Sequence, residues 1–202
     1  MRTAAVLLTG VLAAGCAAHA PAPEVYDFDA IEPAPAPATQ LNASITVPPV
    51  SAPTWLATTA VSYRLGFSPP YVPRAYAHSR WVAPPAELLT ARLRQLLAVA
   101  NAGFTLTRGA VAAGGYRLDV TLEQLEQVYS APDVSRSLVS LRATLSSARD
   151  GHVLAQRSFQ AGRPAPSPNA AGGVRALVQG SDECLAEMLR WLEATVPATA
   201  TP

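Results

Sequence analysis

Covalent chemistry in this chain of 202 residues would have to start from two cysteines, three histidines and a basic set made of arginine alone. All 15 basic residues are Arg, and without lysine there is no Walker-type phosphate contact, no Schiff-base amine and no kinase-type Lys. His19, His78 and His152 are the available bases, yet none lies near a Gly-x-Ser-x-Gly elbow, and they fall in a tether, at a strand end and after a hairpin tip. They read as surface histidines. No Cys-x-x-Cys or His-x-x-x-His pair places two ligands on one metal. Gly109, Gly114 and Gly115 make a flexible connection rather than a phosphate loop, because neither Lys nor a helix follows them. Cys184 falls in an apolar helical pattern and reads as a small packing residue. A formal charge of +1 without a basic block gives no footprint for nucleic acid. The residues thus imply no catalytic group, no metal and no cofactor.

Cys16 stands apart. Met1-Arg2 and the apolar run Ala4 to Leu12 form a signal-peptide pattern, too short to span a bilayer. The ending Leu12-Ala13-Ala14-Gly15-Cys16 resembles a bacterial lipobox, with Ala13 where Leu is usual. That resemblance implies removal of residues 1–15 as a signal peptide and acylation of Cys16; the alternative is ordinary cleavage after Ala18-His19-Ala20. An acylated Cys16 carries several chains, enough for stable attachment. It also leaves Cys184 as the single free thiol. By the sorting pattern of such lipoproteins, Ala17 in the next position implies the outer membrane.

The elements that would position any site follow from periodicity. Residues 16–40 carry Pro21, Pro23, Pro33, Pro35 and Pro37 among many Ala and read as a lipidated Cys with an extended tether, with a short strand expected at 25–28. From residue 41 the texture changes. Ile45 and Val47 alternate with polar residues, Ala60 to Leu65 and Tyr71 to His78 flank a Pro-Pro turn, and Pro73 makes the later strand edge-like. Pro84-Pro85 opens a helix whose Leu89, Leu93, Leu96, Leu97 and Ala100 form a stripe about 100° wide. Tyr116 to Glu123 and Val139 to Ser146 alternate as half-buried strands. Around Asp150-Gly151, matching the apolar faces selects a three-residue loop over Arg149 to Gly151, with Gly151 left-handed, pairing Leu145 with Ala155 and Leu141 with Phe159. Residues 163–173 read as a loop, and a long helix begins at about Val174. The expectation is an α+β domain over residues 41–196, a mostly antiparallel mixed sheet with two main helices packed on one face, followed by a disordered tail at 197–202.

Val61-Ser62-Tyr63-Arg64-Leu65, then Pro73-Arg74-Ala75-Tyr76-Ala77-His78-Ser79-Arg80-Trp81-Val82-Ala83-Pro84-Pro85 and Leu88-Leu89, resemble the signature of the ABC-type transport auxiliary lipoproteins, the PqiC-like proteins of MCE-type lipid transport systems. The resemblance continues through Tyr116 to Val120, the Asp150-Gly151 hairpin and the last helix. It implies a non-catalytic outer-membrane lipoprotein on the periplasmic face, with an MCE-domain protein and an inner-membrane permease and ATPase as partners. In some relatives it also implies a ring-like homo-oligomer. A stand-alone envelope or cell-wall scaffold is the alternative.

Tyr63, Arg64, Tyr76, Arg80 and Trp81 are the candidate partner contacts. Arg80-Trp81 could present a guanidinium and an indole at the sheet edge, or Trp81 could cap the core while Arg80 pairs with an acid. The last helix is apolar over about 160°, more than one sheet contact requires, with Trp191 and Cys184 at its rim. Trp191 is therefore the candidate oligomer contact, with the Pro-rich loop before Val174 as the other cover.

Overall fold

Two long strands organise the chain, because an alternating inner face continues well past the expected boundaries. The computed structural model describes residues 22–28, 43–69, 72–100 and 115–196. The elements in order are β1 (Glu24–Tyr26), β2 (Ile45–Thr46), a 3-10 turn at Thr54–Leu56, β3 (Ala60–Leu65), β4 (Pro73–Trp81), α1 (Pro85–Ala100), β5 (Tyr116–Ala131), β6 (Val134–Ser147), β7 (Val153–Ala161) and α2 (Ala170–Thr195). The signal peptide, Cys16, His19, the Gly109 to Gly114 segment and the 197–202 tail lie outside the described residues.

The strands form one mixed sheet in the order β1-β4-β3-β5-β6-β7, with β2 beside the start of β5. β3–β4, β5–β6 and β6–β7 are antiparallel, whereas β1–β4, β2–β5 and β3–β5 are parallel. β2 and β3 share one edge of β5, and Ser51 bridges to Thr121 between them. The fold is therefore α+β, with both helices on one face of the sheet. One core joins them: Leu89, Leu93 and Leu97 of α1 and Leu177, Leu185 and Leu189 of α2 meet Leu118, Leu122, Leu141 and Leu145 of the sheet.

Several expectations are corrected. The short strand falls at Glu24–Tyr26 rather than 25–28, and Phe28 beyond it is buried in the core, so this part of the Pro/Ala-rich segment is structured. β5 and β6 run on to a turn at Pro132-Asp133, which the polar residues Gln124, Gln127, Ser135 and Ser137 had hidden. β4 is open only over Pro73 to His78, because β1 pairs with its last three residues. The β6–β7 pairing sets Leu145 opposite Ala155 and Leu141 opposite Phe159, as face matching requires. The loop achieves it differently. Ser147 already bonds with His152, leaving four residues in the turn with Gly151 at φ 74°, and Leu154 is bulged out to restore the register. α2 starts four residues early, at Ala170, where the Asn169 side chain accepts the Gly172 amide at 2.9 Å. Gly172 and Gly173 discourage a helix by propensity, but here they allow close approach: a Cβ on Gly173 would lie 1.9 Å from Gln127 Oε1.

Candidate functional site

The strand order brings Tyr63 and Tyr76 together and adds a residue from β5. The Tyr63 and Tyr76 rings lie 4.6 Å apart, and Tyr63 meets Tyr129 edge to face at 5.9 Å. The Tyr76 hydroxyl donates to Gln127 Oε1 at 2.8 Å, so its 2.7 Å contact with Tyr129 is made as the acceptor. Gln127 in turn donates to Ser135 Oγ at 2.8 Å, beneath the first turn of α2. Burial, followed by the bond to Tyr129, raises the Tyr76 pKa, so the phenol stays neutral. On the opposite face of the sheet, Arg64 Nε reaches both oxygens of Glu126, at 3.2 and 3.1 Å. Each of these polar groups has its partner inside the chain, which marks the cluster as a lock between β3, β4, β5 and α2.

Arg80 and Trp81 lie at the far end of β4 and part company there. Trp81 is 1% exposed and packs edge-on against Phe28 with ring centres 5.2 Å apart, so it caps the core. Arg80 is exposed and, among the described residues, makes no ion pair. Val25, its partner on β1, and Val82 are both about half exposed and flank it. Neither sequence alternative is met in full: the indole belongs to the core, while the guanidinium remains available.

Trp191 meets Phe159 edge to face at 5.8 Å, and the Arg157 guanidinium lies 5.3 Å from the same Phe159 ring. An open hollow of about 300 Å³ beside the indole is lined by Arg157, Glu187, Arg190, Trp191 and Ala194. Most of the wide apolar arc of α2 is covered within the chain by the sheet and by α1. Cys184 is buried, and burial together with the carboxylates of Glu187 and Glu183 pushes its thiol up to about 12. His78 and His152 are exposed. Among the described residues no group of three or more His, Cys, Asp or Glu could hold a metal ion, and no helix is long and apolar enough to cross a membrane.

The residues missed by the sequence reading are Tyr129, Gln127 and the pair Arg92 and Asp182. A signal for the first two existed: the inner face reads Leu118, Val120, Leu122 and then Leu125, a step of three that marks the β-bulge after Leu122 and carries Gln127 and Tyr129 inward.

The sequence profile of a family described as "ABC-type transport auxiliary lipoprotein component" matches residues 26–189. The chain belongs to that family. This auxiliary lipoprotein is similar in fold to protein XCC0632 from Xanthomonas campestris, assigned to the family model DUF330, at TM-score 0.68 and 22% identity, covering 86% of this chain and 94% of that one. An uncharacterized protein matches at TM-score 0.63 and 18% identity over 85% of this chain and 99% of its own. The hypothetical protein CT253 from Chlamydia trachomatis matches at TM-score 0.56 and 8% identity over 79% and 100%. No curated protein matches the auxiliary lipoprotein.

Proposed function

We propose that the chain is an outer-membrane lipoprotein facing the periplasm, and that it serves an MCE-type ABC system moving lipid between membranes by docking to the MCE-domain protein, without catalysing a reaction. The observation that carries this reading is the family match across residues 26–189. Acylated Cys16 supplies the attachment, and the inner-membrane permease and ATPase supply the energy. The docking surface is the exposed Arg80 guanidinium framed by Val25 and Val82, a charge with an apolar rim of the kind that concentrates binding energy. Arg64 and Tyr76, whose polar groups are partnered within the chain, and Tyr63, whose ring packs on Tyr76, hold together the strands that carry that surface.

The test is recovery of the cognate MCE protein on the full-length lipoprotein from a detergent extract, with and without Arg80→Glu. The unmutated protein is expected to recover it, and the variant to lose roughly tenfold or more, as for a hot-spot arginine. Equal recovery by both would move the docking surface elsewhere. No recovery by the unmutated protein would favour a stand-alone envelope scaffold.

A further inference from the structure

Two turns carry exposed apolar side chains to the same end of the sheet. The β3–β4 turn leaves Phe67 and Val72 at 49% and 50% exposure, and the β5–β6 turn leaves Val134 at 53%. Leu65 is level with Tyr129, the Gly66 amide donates to the Tyr129 carbonyl, and Val134 lies opposite Ala131 just beyond. Behind these tips stands Arg74, exposed and, among the described residues, without an ion pair, whereas the Arg136 guanidinium lies back along β6 beside Gly162. Asp133 is the one acidic residue in the sequence of the two turns.

Exposure alone does not choose this end, because Val153 and Leu154 by the β6–β7 turn are similarly exposed at the other. The chain leading to Cys16 does. β1 runs parallel to β4 with Glu24 level with Ser79, so the chain enters β1 from the Pro73 side, the side of the tips. Ser79 lies six strand steps from Pro73, roughly 20 Å. Eight residues separate Cys16 from Glu24, a reach of at most roughly 25 Å. Tyr63 is level with Gln127 and Ala60 opposite Arg80, which puts β1 near the middle of β5; Tyr116, at the other end, is then roughly 26 Å off, and the chain would first have to reverse.

We propose that the two turns, led by Phe67, Val72 and Val134, rest in the headgroup layer of the bilayer that holds the acyl chains of Cys16, while Arg74 reaches its lipid phosphates. This rests on the lipidation of Cys16 proposed above. Three partly exposed side chains hold a membrane weakly by themselves, but the anchor makes their contact intramolecular and keeps them at the surface. The sheet then stands on its tips, and Trp191, on the later turns of α2 beside Phe159, lies farther from the bilayer than the start of that helix beside Gln127.

The test uses the full-length lipoprotein in vesicles of phosphatidylethanolamine and phosphatidylglycerol. Phe67→Cys, Val134→Cys and, for comparison, Val153→Cys each carry a bimane label, with circular dichroism as the check of folding; the buried Cys184 stays unlabelled. Spin-labelled lipids are expected to extinguish emission at positions 67 and 134 and to leave position 153 bright. The mass of the amino-terminal peptide is read from the same preparation. With Cys16 acylated, equal quenching at all three positions, or none at 67 and 134, overturns the orientation, leaves lipidation standing and assigns the tips to a protein partner. An amino terminus without acyl chains overturns the lipidation reading and this inference with it.

Discussion

Trp81 meets Phe28 edge to face at the place where β1 joins β4, so truncating it opens a cavity beneath the exposed Arg80. Trp81→Ala is expected to cost about 3–5 kcal/mol in urea denaturation, as buried Trp truncations do, whereas Arg80→Glu should leave the midpoint nearly unchanged. A cost near zero for Trp81→Ala would put the indole outside the core. Cys184 gives a pH test. Burial raises its thiol from an ordinary 9.0 to about 12, so the folded protein keeps a proton that the unfolded chain releases first. The resulting stability is fully present below about pH 9 and is lost as pH rises towards about 12. Tyr76 is shifted in the same direction, so the informative quantity is the difference between the unmutated protein and Cys184→Ala. The variant should lose less stability between pH 8 and pH 11, and a parallel fall in both proteins would exclude the thiol as a source.

Between elements, the decisive contact is an ion pair that no period of hydrophobicity announces. Arg92 of α1 sends Nε and Nη2 to the two carboxylate oxygens of Asp182 on α2, at 2.9 and 3.0 Å, with the arginine 4% exposed. Arg92→Ala leaves the largely buried Asp182 carboxylate without its ion-pair partner and should cost about 3–5 kcal/mol, and Arg92→Met with Asp182→Leu should recover most of it. Additive losses in the double variant would deny the coupling. Gly173→Ala tests the other junction: Ala favours a helix by about 1 kcal/mol, but its Cβ collides with Gln127, so the helix should become less stable in place. These contacts explain what was legible beforehand. The stripes of α1, β5 and β6 could be read because water exclusion acts on each residue singly. The inward Ser135 and Arg92 and the glycine-rich start of α2 could not, because each depends on a partner from another element, while the continuation of β5 that turns Gln127 inward left only the three-residue step from Leu122 to Leu125.

At the scale of the molecule, the breadth of the apolar arc on α2 argued for a second copy, and much of that argument is answered inside the chain. The sheet covers one side of the helix and α1 another, which accounts for an arc wider than a single contact needs. What remains is Trp191, half covered by Phe159 and bordered by a hollow with Arg157, Arg190 and Glu187 on its walls. We propose that any self-association of the lipoprotein uses this rim, where an indole and two guanidinium groups can meet the same surface of a neighbour. Sedimentation of the detergent-solubilised protein decides it. Trp191→Glu should shift the assembly to monomer, with little change beyond the roughly 0.5–1.5 kcal/mol of the aromatic pair in unfolding. An unmutated protein that sediments as a monomer, or an assembly indifferent to Trp191→Glu, would return the indole to Phe159 and leave the hollow without a partner.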